Sequence, residues 1–402
     1  MLPTSLWPLD EAIQRVHALG RPSGTERILV RAALGRTLAD SVHAAVAIPP
    51  FPRAMMDGYA VRAADTTSPR PLAVVDTLAA GAWSTTRVGQ GEAVRIMTGA
   101  PVPEGADAVV RFEWCDASDG KHVTVRRPVA PGESIQPRGE DCEVGSHLLP
   151  AGTLLRHAEV ALLCAAGVAE VDVFTTPKVA VVVTGSELVP QPSTPLGKGQ
   201  IYACNDLLVA AMVESCGAVV AAVEYVADQL ESVQAAIRRA AETADCVITT
   251  GGASVGDFDC VPQALRQLGA TVHMEKVWMR PGTPFVAASL GNTPVFGLSG
   301  NPAACSIQAE VLVRAFFDGC CGRAPNPFPW TGILKDDIVL SPVKHTRVLR
   351  ARALSANGQL LVDASLAQSP GVLRSLVSAN CLIRVPGGGA ERGSEVPLRW
   401  LW

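Results

Sequence analysis

Hydrophobic positions along this chain fall at helical spacing near its start, in short β-like stretches through its second quarter, and in unbroken runs through its middle. In LDEAIQRVHAL, Leu9, Ile13, Val16 and His17 share one face, which predicts an amphipathic helix. ERILVRAALGRTLAD predicts a second helix over 26–40. AIPPFPRAMMDGYAV then places Pro49, Pro50 and Pro52 close together, which forbids helix and marks a linker into a new unit. From about Tyr59 to Leu149 the apolar stretches are short and divided by Gly and Pro. PLAVVDTL, EAVRIM, ADAVVRF and HVTVRR read as strands. HAEVALLCAAG is a short helix predicted to pack back on the N-terminal helices, which would make that unit discontinuous.

From Pro177 the rhythm becomes strand, loop, helix. KVAVVVT is an apolar run of the kind found in a parallel strand covered on both faces. NDLLVAAMVESCGA predicts a helix ended by Gly217, and VVAAVEYV the next strand. Asp228 and Glu231 form a capping-box pattern ahead of Leu230, Val233, Ile237 and Ala241 at helical spacing. With DCVITT and PVFGL as further strands, this is a doubly wound α/β sheet. After GRAPNPFPW the pattern turns β again. RARALSANGQLLVDA reads as a hairpin about Asn357-Gly358, inside a small all-β unit.

At 402 residues the chain is long for one domain, and its composition, 48% hydrophobic and 18% charged, supports a sizeable core. The formal charge of -4 gives none of the basic field that duplex nucleic acid demands, so no nucleic-acid partner is expected. An anionic ligand must therefore be met by local Lys and Arg, or by a metal. Eleven cysteines without a CxxC pair, and seven histidines without zinc spacing, fit a reduced, cytoplasmic compartment. MLPTSLWPLDEAIQ reaches acidic residues too soon to read as a signal peptide, and no apolar run is long enough to span a bilayer.

Three loops of the α/β region follow strands: TGSEL (184–188), TGGASVGDFD (250–259) and GLSGNPAA (297–304). In an open α/β sheet all three emerge on the edge where ligands bind. Asn301 with Pro302 behind it reads as a helix start, a geometry that favours phosphate, although in isolation it is an ordinary one. TGGASVG lacks both the GK[ST] ending of a P-loop and a GxGxxG. Asp259 is either the cap of CVPQALRQLG or, with Asp257, a ligand for a cation such as Mg²⁺. In EKVWMRPGTPF, Lys276 and Arg280 form a candidate clamp for an oxyanion.

Seven blocks in one order then carry a resemblance: AMMDGYAVR, RIMTGAPVPEGADAVV, RGEDCEVGSHLLPAGTLL, VVVTGSELV, ITTGGASVGDFD, RPGTPF and PVFGLSGNPAA. The chain resembles, nearly end to end, the MoeA/gephyrin E-domain family of molybdopterin molybdenumtransferases. The resemblance implies an elongated four-domain subunit. A discontinuous helical domain would span 1–45 and 142–176, a β-rich second domain 46–141, a MogA-like α/β domain 177–328, and a C-terminal β-barrel 329–402. It implies a homodimer whose cleft lies between the α/β domain of one subunit and the second domain of the other. The implied reaction takes adenylylated molybdopterin and molybdate, with Mg²⁺, to molybdenum cofactor and AMP. A MogA-type adenylyltransferase and molybdoenzymes are implied protein partners.

Carried over by position, the resemblance implies Asp57, Thr98 and Asp141 as polar cleft residues, with Arg138 nearby. Glu187, Asp228, Lys276 and Arg280 join them from the α/β side, Asp257 and Asp259 being the candidate metal ligands. Gly251, Gly252, Ser254, Gly300 and Asn301 would bind substrate, and Arg350 and Ser375 approximate cleft positions in the terminal unit. Ser186, Ala203, Thr283 and Ser299 depart from the family's pattern, removing carboxylate at Ala203 and a cation at Thr283. Those departures motivate a second reading, a weakly active or non-catalytic relative that binds and delivers the cofactor.

Overall fold

The computed structural model describes residues 6–117, 119–190, 192, 194–252, 260–356 and 358–401. They form two compact units, one from Met1–Glu26 with Phe174–Trp402 and one from Arg27–Val173.

The larger unit is built on a six-stranded sheet. Its strands are β1 (Lys178–Thr184), β2 (Val219–Val226), β3 (Cys246–Thr250), β4 (Thr271–Lys276), β6 (Pro284–Leu290) and β7 (Thr293–Leu298), in the order β2-β1-β3-β7-β6-β4. β2, β1, β3 and β7 are mutually parallel, and β6 and β4 are antiparallel additions. Every residue of β1 after Lys178 is buried because helices cover both faces. Val179, Val181 and Val183 point into one core cluster, and Ala180 and Val182 into the other, as the two-residue period of a strand requires. The first cluster is roofed by α1 (Leu9–Leu19), α2 (Asn205–Ser215) and a continuous helix made of α5 (Pro302–Gln308), a π-helical turn (Ala309–Val313) and α6 (Arg314–Cys320). α3 (Leu230–Thr243) and α4 (Cys260–Gln267) cover the second.

β8 (Trp330–Leu334), β9 (Thr346–Ala356), β10 (Gln359–Asp363), β11 (Cys381–Val385) and β12 (Glu395–Trp400) close into a five-stranded barrel, with β9 paired to both β10 and β11. The turn between β9 and β10 is short, Ala356 standing opposite Gln359, and Gly358 takes φ +75. Asn357 lies outside the described residues. The short strand β5 (Met279–Arg280) leaves the α/β sheet and pairs in parallel with β9, which fastens the barrel to it. Arg399 on β12 and Arg314 on α6 share Glu310 of the π turn, and Arg384 forms a two-bond pair with Asp10 of α1 at 2.6 and 2.7 Å.

The smaller unit carries the expected β-rich region. Its six-stranded sheet runs Ala108–Arg111, Gly58–Val61, Glu92–Ile96, Pro71–Leu78, His122–Val125, Cys115–Asp116. The helix predicted over 26–40 does not form. Thr25–Leu29 is a strand, and Val30–Ala32 a single 3-10 turn. Ile28 and Val30 turn inward two residues apart, a strand period in which β-branched side chains pack well. Val30, Ala33 and Leu38 pack with Leu163 of helix His157–Ala165, so that helix meets this strand and turn. α1 contributes Leu9, Ala12, Ile13 and Val16 to the core of the larger unit instead.

The end of α1 packs backbone to backbone on α6. Gly20 has an ordinary φ of -75, but a Cβ there would stand 2.0 Å from the Phe316 carbonyl oxygen. Space, not backbone conformation, therefore demands glycine. Gly20→Ala is expected to lower stability by about 1–3 kcal/mol through overpacking. Urea unfolding of the variant checks this, the midpoint falling with little change in slope.

Candidate active site

Because β1, β3 and β7 are parallel neighbours, the loops after them open on one edge. There they line a single cavity of about 950 Å³, together with β5, the turn after it and part of the barrel. Thr184 and Glu187 come from the first loop, Gly251 and Gly252 from the second, and Ser299, Gly300 and Asn301 from the third. The three loops singled out by their place after strands thus converge. Gly251 has φ +88, and a Cβ on it would lie 2.4 Å from the Thr184 carbonyl oxygen. Glycine here lets two loop backbones touch at the cavity floor. Asn301 is the N-cap of α5 with Pro302 at its first turn, but its side chain makes no capping bond.

The positive charge of the cavity differs from the sequence expectation. Arg280 lines it; Lys276, on β4, does not. Arg347 lines it as well, standing directly across from Arg280 in the parallel pairing of β5 with β9. Arg347 is held by the carbonyl oxygens of Ser341 and Gly387, so its guanidinium has no carboxylate partner among the described residues. Burial, then Arg280 and Arg347, hold the nearby His345 below the usual imidazole range. Sequence reading missed Arg347 because its signal is strand register between distant segments, and no local motif surrounds it.

Two carboxylates line the same cavity, Glu187 and Asp228. Asp228 does not cap α3, whose N-cap is Gln229. It closes a two-way link to TGSEL: its carboxylate accepts from the Ser186 amide at 3.2 Å, and Ser186 Oγ accepts from the Asp228 amide at 3.3 Å. Ser254, Asp257 and Asp259 lie outside the described residues. No cluster of three or more His, Cys, Asp or Glu stands together among the described residues.

Arg350 is 0% exposed on β9. Its Nη2 donates to the carbonyls of Ala367 and Ser369, while Nε and Nη1 have no partner. It does not itself line the cavity, although its neighbours Leu349 and Gln368 do. Ser375 is buried too, its hydroxyl donating to the Val372 carbonyl.

In the smaller unit, Asp57 and Thr98 are brought together. One carboxylate oxygen of Asp57 accepts both the Thr98 amide and the Thr98 hydroxyl at 2.7 Å. Arg138 pairs with Glu143 at 2.9 Å, and the Asp141 amide donates to the Ile48 carbonyl.

Comparison with known proteins follows the same order of parts. The MoeA N-terminal region (domain I and II) matches residues 7–167, a probable molybdopterin binding domain matches 180–318, and the MoeA C-terminal region (domain IV) matches 332–399. A protein of Bacillus subtilis named molybdopterin molybdenumtransferase is 38% identical, over 97% of this chain and 93% of its own length. The chain belongs to the MoeA family. A Staphylococcus aureus relative of the same name is 36% identical over 97% of this chain and 94% of its own. The crystal structure of the molybdopterin biosynthesis MoeA protein of Pyrococcus horikoshii OT3 superposes with a TM-score of 0.83 at 30% identity, covering 99% of this chain and all of that one.

The departures from the family's pattern can now be placed. Ala203, Thr283 and Ser299 all line the cavity, and Ser186 holds Asp228. Thr283 turns its hydroxyl to the Met279 carbonyl at 2.8 Å. Among the described residues, Glu187 and Asp228 are the carboxylates that line the cavity.

The amide and hydroxyl of Thr98 hold the Asp57 carboxyl below the usual carboxylate range. A depressed carboxyl contributes its stabilisation above the unfolded pKa and loses it as pH falls through the folded one. Thr98→Val removes the hydroxyl and keeps the amide. The Asp57 pKa is then expected to rise toward the ordinary value, as read by carboxyl ¹³C shifts across an acid titration.

Proposed function

We propose that this chain is a molybdopterin molybdenumtransferase that inserts molybdenum from molybdate into adenylylated molybdopterin and releases AMP. The observation that carries the reading is the cavity lined by two arginines without a carboxylate partner among the described residues, by two carboxylates and by a glycine floor. Molybdate and a phosphoanhydride repel each other in water. A pocket that gathers them must neutralise both, and guanidinium groups do so with directed hydrogen bonds. Arg280 and Arg347 serve this purpose, Arg347 standing in for the cation that Thr283 removes. Gly251 and Gly252 let the backbone approach a phosphate, and Gly300 offers an amide at a helix start, that of Asn301 donating to Ser299 Oγ at 3.3 Å.

Glu187 and Asp228, with Asp257 or Asp259, would hold Mg²⁺, which polarises the phosphate when bound. Asp57, kept ionised by Thr98, orients the attacking oxygen, and Asp141 and Arg138 serve the same cleft. In this reading the smaller unit of a second copy supplies them, the working protein being a homodimer. Lys276, Ser254, Arg350 and Ser375 remain in the proposal as supporting residues, Arg350 through its two unpartnered nitrogens. The four-domain division, a cytoplasmic location and exchange with an adenylyltransferase and with molybdoenzymes also belong to it. No helix among the described residues is long and apolar enough to cross a membrane. The named relatives support a transferase and lend nothing to the carrier reading.

Purified protein given adenylylated molybdopterin, molybdate and Mg²⁺ is expected to release AMP in a molybdate-dependent way. Arg280→Gln is expected to lower that rate on the order of 10²-fold, the usual effect of deleting one charge-stabilising donor. Tight binding of the substrate without molybdate-dependent AMP release would return the chain to the carrier class.

A further inference from the structure

Gln308, the last residue of α5, is 0% exposed and belongs to no motif in the sequence. Its carboxamide joins two separate walls of the cavity. Oε1 accepts the Ser299 amide at 2.8 Å, while Nε2 donates to the carbonyls of Gly282, at 3.1 Å, and Pro284. Ser299, Gly282 and Pro284 all line the cavity; Gln308 stands behind them. Both ends of the amide are fixed by this set, since the oxygen meets an N–H and the nitrogen meets carbonyls. Gly282, at φ +98, lies so close that a Cβ on it would be 2.8 Å from Gln308 Cγ. The third loop is gripped from its other side by Asn205, whose Nδ2 donates to the Gly300 carbonyl at 2.9 Å.

We infer that Gln308 is a positioning residue that sets the separation between the Arg280–Pro284 turn and the Ser299–Asn301 loop, and so the width of the anion pocket proposed above. The antiparallel ladder of β6 with β7 ends at Val286 opposite Gly297, two residues short of Pro284 and Ser299, and Gln308 supplies the hydrogen bonds where that ladder stops. A side chain of the same size without the amide would fill the space yet leave one N–H and two carbonyls without partners. The loops would move apart to find water, carrying the Arg280 guanidinium away from the Gly300 amide. The π turn begins at Ala309, the next residue, and its extra residue re-phases the helix. Residues two apart on a helix point to nearly opposite faces, so Gln308 faces the cavity loops while Glu310 faces Arg399.

The inference rests on the transferase reading for its kinetic arm only. Gln308→Met, close in volume and without the bonds, is expected to raise KM for adenylylated molybdopterin about tenfold with kcat within about twofold. Hydrogen exchange read by mass spectrometry is expected to quicken in peptides covering 280–285 and 297–301, with 178–184 unchanged. A lower melting temperature with unchanged KM and unchanged loop exchange would make Gln308 ordinary core packing and overturn the inference. Should the Met variant not fold, the parent decides: both loops must open in one exchange event, and distinct opening energies overturn it. Should the parent show no turnover, the transferase reading falls, while the exchange arm still tests the brace.

Discussion

Parallel pairing is the constraint on which the rest depends. A strand such as β1, buried on both faces, must continue through a helix before its neighbour can be laid alongside, and each return sends the next loop to the same edge. The alternation of Val179, Val181 and Val183 with Ala180 and Val182 between two cores fixes that orientation residue by residue. A one-residue slip would exchange the clusters, so the register of the sheet and the position of its three loops are one fact. Chemistry at the edge follows from packing in the middle.

Charge is solved locally for the same reason. With a net charge of -4 the chain has no field to draw anions, and many of its arginines are spent on carboxylates, as in Arg27–Asp172, Arg138–Glu143 and Arg384–Asp10. Arg280 and Arg347 are different because β5 and β9 bring them side by side against glycine and carbonyl groups. Two like charges held together repel, and an anion between them relieves the repulsion. The short strand that fastens the barrel to the sheet is therefore also what completes the pocket.

Much of this was legible in the sequence where local rules suffice. KVAVVVT, DCVITT and PVFGL became strands because apolar runs bounded by Gly and Asp leave little alternative, and the loops after them could be read as a common edge. The strands of the β-rich unit fell at PLAVVDTL, EAVRI and HVTV as their periodicity said. Where a residue's role depends on a distant partner, sequence failed. Asp228 looked like a helix cap and holds Ser186, and Arg347 comes beside Arg280 only through the register of two distant strands. The stretch 26–40 misled because Arg, Ala and Leu carry helix propensity while Ile28 packs from a strand and Val30 from the 3-10 turn that follows it.

The central claim is that Arg280 and Arg347 together form the anion seat of the cavity. Calorimetric titration of adenylylated molybdopterin over a range of salt concentrations tests it most directly, comparing the parent with Arg280→Gln/Arg347→Gln. The account predicts that parent affinity falls steeply with salt, while the double variant binds weakly and with a much flatter dependence. Equal affinity and equal salt dependence in the two proteins would contradict it.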